Sequence, residues 1–209
     1  MSKRVMNEVM CLAEDNKIPL YYQDTDSIHL PTNKVNKLSK LFKKKYKREL
    51  IGEQTGQFHT DFELDGSINW EDALTLWNKK KGGKFITPKK GTKEYNEIKE
   101  LTNIYAEKSI FLGKKCYIDC LVGKDKDGNE IRGNHIRMKG IPTKSVLYEA
   151  QRREITPLEL YEKMYKGETI EFDLLKGLND NEVINTPKFI FENDMNVNMK
   201  TSFKRKVKF

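Results

Sequence analysis

The apolar positions of SKRVMNEVMCLAEDN fall on one helical face: Val5, Val9, Leu12 and Ala13 have the spacing of a single side of an α-helix. The period then changes. KIPLYYQ is apolar and aromatic almost without interruption and reads as a strand, DTD reads as a turn, and SIHLP reads as the returning strand. The expected unit is a helix followed by a hairpin over residues 18–30, with Asp24 and Asp26 at its tip. In NKVNKLSKLFKKKYKREL one stripe is apolar (Val35, Leu38, Phe42) and lysines fill the rest, the pattern of an amphipathic basic helix. GQFHTDFELDG alternates enough for a strand, with Phe58 and Phe62 near one face.

Residues 70–104 differ in character. Trp70 and Trp77 precede KKKGGKFITPKKGTKEYNEIKEL, which Gly82, Gly83, Pro88 and Gly91 interrupt. The expectation is a surface insertion with one short helix near Glu94–Thr102. AEKSIFLGKKCYIDCLV reads as two strands or one long bent strand. KDKDGNE is a hairpin turn, because Asp-Gly supplies the positive φ such turns need, and EIRGNHIRMKG is the returning strand. The Asp125-x-Asp127-Gly order begins like a calcium loop but lacks the remaining ligand positions and the closing Glu. TKSVLYEAQRRE and TPLELYEKMYKG are helices. The second opens on a capping box, Thr156 with Pro157 and Glu159, and closes at Gly167. TIEFDLL, KFIFEN and MKTSFKRKVKF read as short strands. Gly140 and Pro142 suggest a boundary, giving regions 1–142 and 143–209 and an α+β fold.

Charge narrows the partner. The chain of 209 residues carries 39 Lys and Arg against 31 Asp and Glu, a net charge of +8, which favours a polyanionic partner. The cysteines, Cys11, Cys116 and Cys120, are odd in number and have no disulfide-like spacing, so reduced thiols are expected. His29, His59 and His135 show no paired spacing that would complete a zinc site with Cys116 and Cys120. No stretch has the run of roughly twenty apolar residues of a membrane span, and no signal peptide opens the chain. The expectation is a soluble intracellular protein, in a host cytoplasm or an organelle matrix, with no membrane partner.

The paired aspartates carry the chemistry. Residues two apart on a strand face the same way, so Asp24 and Asp26 are expected to set two carboxylates side by side. Two such charges repel unless a cation lies between them, and carboxylates with water and phosphate make the usual magnesium environment. Asp also recurs in turns simply because it bonds its own backbone, so a solvated turn is the alternative. Of the chemistries that use such pairs, an aspartic protease needs Asp-Thr-Gly, and Asp26 stands where that glycine would be. A D-x-D glycosyltransferase would hold a metal and a sugar nucleotide, and a polymerase would hold magnesium at a primer end. The basic balance favours the polymerase.

YYQDTDSIHL resembles motif C of family B DNA polymerases, whose palm carries Tyr-x-Asp-Thr-Asp-Ser on a hairpin. Lys115-Cys116-Tyr117, in FLGKKCYID, resembles the Lys-x-Tyr motif that follows it. With SIHL after the acids and GQFHTDFE on the intervening strand, the chain looks like the protein-primed branch found in bacteriophages, viruses and linear organellar plasmids. The resemblance covers residues 1 to about 140; beyond Thr143 it rests on order, and 143–209 is expected to be a thumb-like subdomain behind a palm-like region 1–142. It implies that Asp26 ligates both ions of a two-magnesium site, with Asp24 an auxiliary acid. Thr25 would face the primer terminus, Lys115 would pair with a primer phosphate, and Tyr117 would pack near the terminal nucleotide. Primer-template DNA and deoxynucleoside triphosphates are the implied partners, with a terminal protein as a further candidate primer.

The family's exonuclease domain, its opposing palm aspartate and its fingers motif have no counterpart before residue 24. The chain therefore resembles the C-terminal third of such an enzyme. The second set of metal ligands would come from an N-terminal portion, without which the fragment is expected not to polymerise. Asp61 and Glu63 are nearby acids that nothing marks as substitutes. Basic runs are candidates for the wall of a DNA channel: residues 43–48, Lys79–Lys81 with Lys84, Lys89 and Lys90, and above all Arg152, Arg153, Lys204 and Arg205. The rival readings are a non-catalytic DNA-binding remnant of a polymerase and, less supported, the glycosyltransferase, which lacks a glycine-rich nucleotide loop.

Overall fold

The computed structural model describes residues 2–52, 54–82, 85–177, 189–191, 197–199 and 202–209. Lys84 of the expected basic run, and parts of the expected strands KFIFEN and MKTSFKRKVKF, lie outside the described residues. The fold is α+β, and each sheet among those residues is antiparallel. The chain divides into two compact units, 1–63 and 64–209.

In the first unit, α1 (Ser2–Asp15) and α2 (Thr32–Tyr46) flank a hairpin of β1 (Tyr22–Gln23) and β2 (Ile28–His29). The helical stripes read from the sequence meet as expected: Val5, Val9, Leu12 and Ala13 of α1 share a core with Leu38 and Phe42 of α2, joined by Ile18 and Leu50. Lys47 ends α2 in a left-handed conformation, φ 56°, and its N–H bonds to the Lys43 carbonyl at 2.9 Å. The expected strand at GQFHTDFELDG does not form. Phe58 makes a single bridge to Ile51, and residues 59–64 have no regular structure. Phe58 and Phe62 are four apart, not two, and turns at Gly56 and Gly66 (φ 88° and 78°) bracket the segment. Phe58, Phe62 and Leu64 are only half-buried there, and a segment with so little to bury does not hold a ladder.

In the second unit, α3 (Trp70–Lys80) and α4 (Lys93–Leu101) precede a three-stranded sheet of β3 (Tyr105–Gly113), β4 (Cys116–Lys124) and β5 (Glu130–Met138), in that order. The expected one-helix surface insertion is corrected here. Two helices close on a core of their own, Ile68, Ala73, Leu74, Trp77 and Ile98. Asn69 caps α3 by accepting the Asp72 N–H at 2.9 Å, and Trp77 Nε1 donates to Glu97 at 2.9 Å. Helices this short are marginal alone, so burial of Trp77, Leu74 and Ile98, about 1.5–3 kcal/mol each, is what keeps them folded.

The sheet alternates faces. Cys116 and Ile118 on β4, with Ile136 and Met138 on β5, pack against Val146 and Ala150 of α5 (Thr143–Arg152) and Leu160, Tyr161 and Met164 of α6 (Pro157–Tyr165). Ile170 and Phe172 of β6 (Ile170–Asp173) complete this core, which lies on both sides of residue 142. The capping box on α6 is present in both directions: Thr156 Oγ1 accepts the Glu159 N–H at 3.2 Å, and Glu159 accepts the Thr156 N–H at 2.7 Å. Gly167 follows with φ 87°. The Asp-Gly turn closes β4 and β5, Gly128 having φ 88° and the Asp125 N–H donating to the Asn129 carbonyl at 2.9 Å. Two further pairs follow, β7 (Phe189–Phe191) with β8 (Val197–Met199), and β6 with β9 (Lys204–Val207).

Candidate functional site

The acidic tip is built by a short hairpin. Tyr22 opposes His29 and Gln23 opposes Ile28, and the Asp24 N–H bonds to the Ser27 carbonyl at 3.0 Å, so Thr25 and Asp26 form a two-residue tip. Neither tip residue has a positive φ. Two-residue loops that match the twist of paired strands require positive φ; other turns splay the strands, which accounts for a ladder only two residues long. The Tyr22 and His29 rings meet edge to face at 5.3 Å, and Phe62 meets His29 at 6.1 Å, so aromatic contacts support the base of the hairpin.

The acids differ in environment. Asp24 is half-buried, and its Oδ1 accepts the Thr25 N–H at 2.8 Å and the Thr25 hydroxyl at 3.3 Å. Asp26 is exposed and makes no hydrogen bond or ion pair within the described residues. It stands on the wall of a cavity of about 320 Å³ whose other walls include Val5, Met6, Gly56 and Phe58. Both acids belong to the turn rather than to a strand, so their proximity comes from the turn itself and not from strand parity. Among the described residues no group of three or more His, Cys, Asp or Glu side chains could hold a metal ion. Asp61 is exposed and lies 3.9 Å from His59. With Asp24 Oδ1 already accepting from Thr25, what the turn itself offers is the oxygen donors of Asp24 and Asp26. That suits magnesium, which keeps water and takes phosphate oxygens for the rest of its coordination.

Lys115 and Tyr117 sit on the β3–β4 hairpin of the second unit. Lys115 is not on a strand: it occupies the turn before β4 with φ 56°, exposed, and its carbonyl accepts the Lys139 N–H at 2.9 Å. Tyr117 is buried, its ring 5.9 Å from Phe111 and 5.7 Å from His135. One cross-strand row further on, Ser109 donates to Asp119 at 2.6 Å and His135 Nδ1 lies 3.2 Å from the same carboxylate. This row escapes sequence reading, although an acid midway along an apolar strand is a signal of a satisfied buried carboxylate. Its place beside Tyr117 makes it a support for that ring.

Arg152 and Arg153, read from the sequence as DNA contacts, both reach Glu149, which is buried. Arg153 also bonds Glu168 at 3.1 Å. The side chain of Arg152 remains 56% exposed, so it can meet a second anion while held. On β9, Lys204 pairs with Glu171 at 3.0 Å, and the Arg205 guanidinium lies against Gly140. Thus the acids and Thr25 share one turn, Lys115 and Tyr117 share one hairpin, and Arg152 and Arg153 share one carboxylate.

Comparison with protein-family models, with curated proteins and with solved structures gives no match. No helix among the described residues is long and apolar enough to cross a membrane.

Proposed function

We propose that this chain is the C-terminal part of a DNA-directed DNA polymerase of the protein-primed family B kind, and that it contributes to primer extension by nucleotidyl transfer. The observation that carries the reading is the tip of YYQDTDSIHL: Asp26 is exposed beside a cavity, while Asp24 braces the turn through Thr25. Asp24 and Asp26 are the residues that would hold magnesium, which when bound supplies charge stabilisation at the phosphate oxygens of the reacting centre. In the reaction the primer 3′ oxygen bonds to the α-phosphorus of a deoxynucleoside triphosphate and the bond to pyrophosphate breaks.

The chain's own side chains position and neutralise. Lys115, presented outward from a tight turn, places an ammonium against a primer phosphate. Tyr117 is the residue the resemblance puts near the terminal nucleotide; its buried ring packs against Phe111 and against His135 of the Ser109–Asp119–His135 row. Arg152, Arg153, Lys204 and Arg205 add sequence-independent phosphate contacts of a thumb-like region. Two carboxylates from one turn leave the opposing ligand to another polypeptide segment, so activity needs that segment. A terminal protein as the source of the priming hydroxyl belongs to the same reading.

One observation favours a second reading, a non-catalytic DNA-binding remnant: the Asp24 carboxylate already serves its own turn. The two separate on primer extension with labelled nucleotide and magnesium, using the chain alone and the chain with the product of the reading frame upstream of it. Incorporation is expected only in the complemented reaction, and Asp26→Asn should lower it by about 10²-fold or more, the scale of losing charge stabilisation at a transferring phosphoryl group. Robust incorporation by the chain alone, or full activity of the complemented Asp26→Asn protein, would sink the proposal.

A further inference from the structure

The most heavily charged surface of the first unit is α2, and neither the acids nor the arginines discussed above account for it. From Lys34 to Arg48 the chain carries eight Lys and Arg and no acid. Some of these are accounted for locally: Lys43 pairs with Glu49, Lys45 with Asp15 at 3.5 Å, and Arg48 with Glu8. Lys37, Lys40 and Lys44 are different. They are exposed, and none makes an ion pair or hydrogen bond within the described residues. Spaced three and four apart, they lie on one face of the helix and repel one another. Lys44, in the last turn, gains from the helix dipole, but Lys37 and Lys40 stand too far from that end to do so.

We propose that this face of α2 docks on the phosphate backbone of a nucleic-acid duplex. The inference goes beyond nucleotidyl transfer and does not depend on Asp24 or Asp26. From Lys37 to Lys44 the helix advances about 10 Å at roughly 1.5 Å per residue. Phosphates along one strand recur about every 3.4 Å of duplex axis, so three ammonium groups on flexible stems reach successive phosphates and their mutual repulsion is relieved. The opposite side of α2 decides against a membrane. Leu38 and Phe42 are spent in the core with Val5, Val9 and Leu12, and half-buried Leu41 and Tyr46 pack on that core, so no apolar face is left to enter a bilayer. No large apolar side chain of α2 is exposed, so the face has no ring on which unpaired bases could stack. A regular row of phosphates is the partner that fits.

The test is fluorescence anisotropy with a short labelled DNA duplex, in EDTA so that no metal site contributes, comparing wild type with K37Q/K40Q/K44Q. Between about 50 and 200 mM salt, the dependence of log affinity on log salt should become shallower by about 2.7, roughly 0.9 for each phosphate no longer neutralised. Affinity at about 100 mM salt should fall at least tenfold. The thermal midpoint should hold or rise, because like charges have been removed from a helix, and this separates a binding face from a structural one. K99Q/K124Q/K166Q removes the same charge from exposed positions of the second unit outside the basic runs and should leave the slope nearer wild type. An unchanged slope in the α2 variant, or an equal change in the charge-matched variant, would overturn the proposal. So would vesicles of phosphatidylserine and phosphatidylcholine that bind wild type as tightly as the duplex and lose the α2 variant.

Discussion

Arg152 holds the Glu149 carboxylate in two bonds, 2.9 Å from Nε to Oε2 and 2.7 Å from Nη2 to Oε1. Arg153 adds a third at 2.6 Å. Burial, the largest single influence, pushes the Glu149 carboxyl up, but the hydrogen bonds and charges of the two guanidinium groups together outweigh it, and the group sits below its ordinary value of 4.5. Removing both arginines should destabilise the fold, because a buried carboxylate would lose its compensation. R152A alone should cost less, since Arg153 remains. A carboxyl held below its unfolded value stabilises the fold above that value, and the benefit disappears as pH falls through the folded one. Urea denaturation should therefore show Glu149→Gln clearly weaker than wild type at neutral pH, with the gap closing below about pH 4.5. A gap that is constant with pH would count against an ionised Glu149. DNA affinities of Arg152 variants need to be read beside these stabilities.

Lys115 stands in the left-handed region, φ 56°, at a turn where glycine would meet no such penalty. A non-glycine residue there costs about 1–2 kcal/mol, so Lys115→Gly should raise the stability of the second unit by about 1 kcal/mol, measured by thermal or chemical unfolding. If Lys115 pairs with a primer phosphate, the same variant should bind primer-template DNA less tightly, with a salt slope shallower by about 0.9. Stability and affinity should thus move in opposite directions. A variant that is both less stable and unchanged in binding would show that the turn prefers lysine for local reasons.

Helix periodicity made α1, α2, α5 and α6 legible, because Val5, Val9 and Leu12, or Leu38 and Phe42, bury as their spacing requires. The Asp-Gly turn and the capping box were legible because one residue type satisfies one backbone need. What was not legible depends on distant partners. Trp70 and Trp77 marked the insertion as unusual, but α3 becomes a helix only when Ile98, from α4, closes its core. Phe58 and Phe62 have the parity of a strand face, but among the described residues only the single bridge of Phe58 to Ile51 pairs with that segment. The acidic hairpin was placed correctly, yet its two-residue ladder and the role of Asp24 in its own turn follow from backbone angles that no spacing rule reports. Glu149, in YEAQRRE, shows how a charge run can be tied down by a single buried acid inside it.

Asn78 fixes the loop after α3 from beneath. The side chain is buried, and its Oδ1 accepts the Ile86 N–H at 2.8 Å while its Nδ2 donates to the Ile86 carbonyl at 3.1 Å and to the Leu74 carbonyl at 2.9 Å. A side-chain amide thus pairs with both backbone groups of one residue, as a neighbouring strand would. The Ile86 side chain itself is more than half exposed, and so is that of Phe85, so apolar burial contributes little to holding this loop. Asn78→Ala removes all three bonds and should cost about 1–2 kcal/mol, less than a fully buried amide pair because water can reach Ile86. Asn78→Asp keeps the acceptor for the Ile86 N–H but loses the donor and buries a charge, so it should be the weaker variant at neutral pH and recover as the new carboxyl is protonated in acid. Amide hydrogen exchange at Ile86 is the direct readout: it should quicken in Asn78→Ala while exchange in β4 stays slow. Equal protection of Ile86 in wild type and Asn78→Ala would mean that the loop is held by something other than this amide.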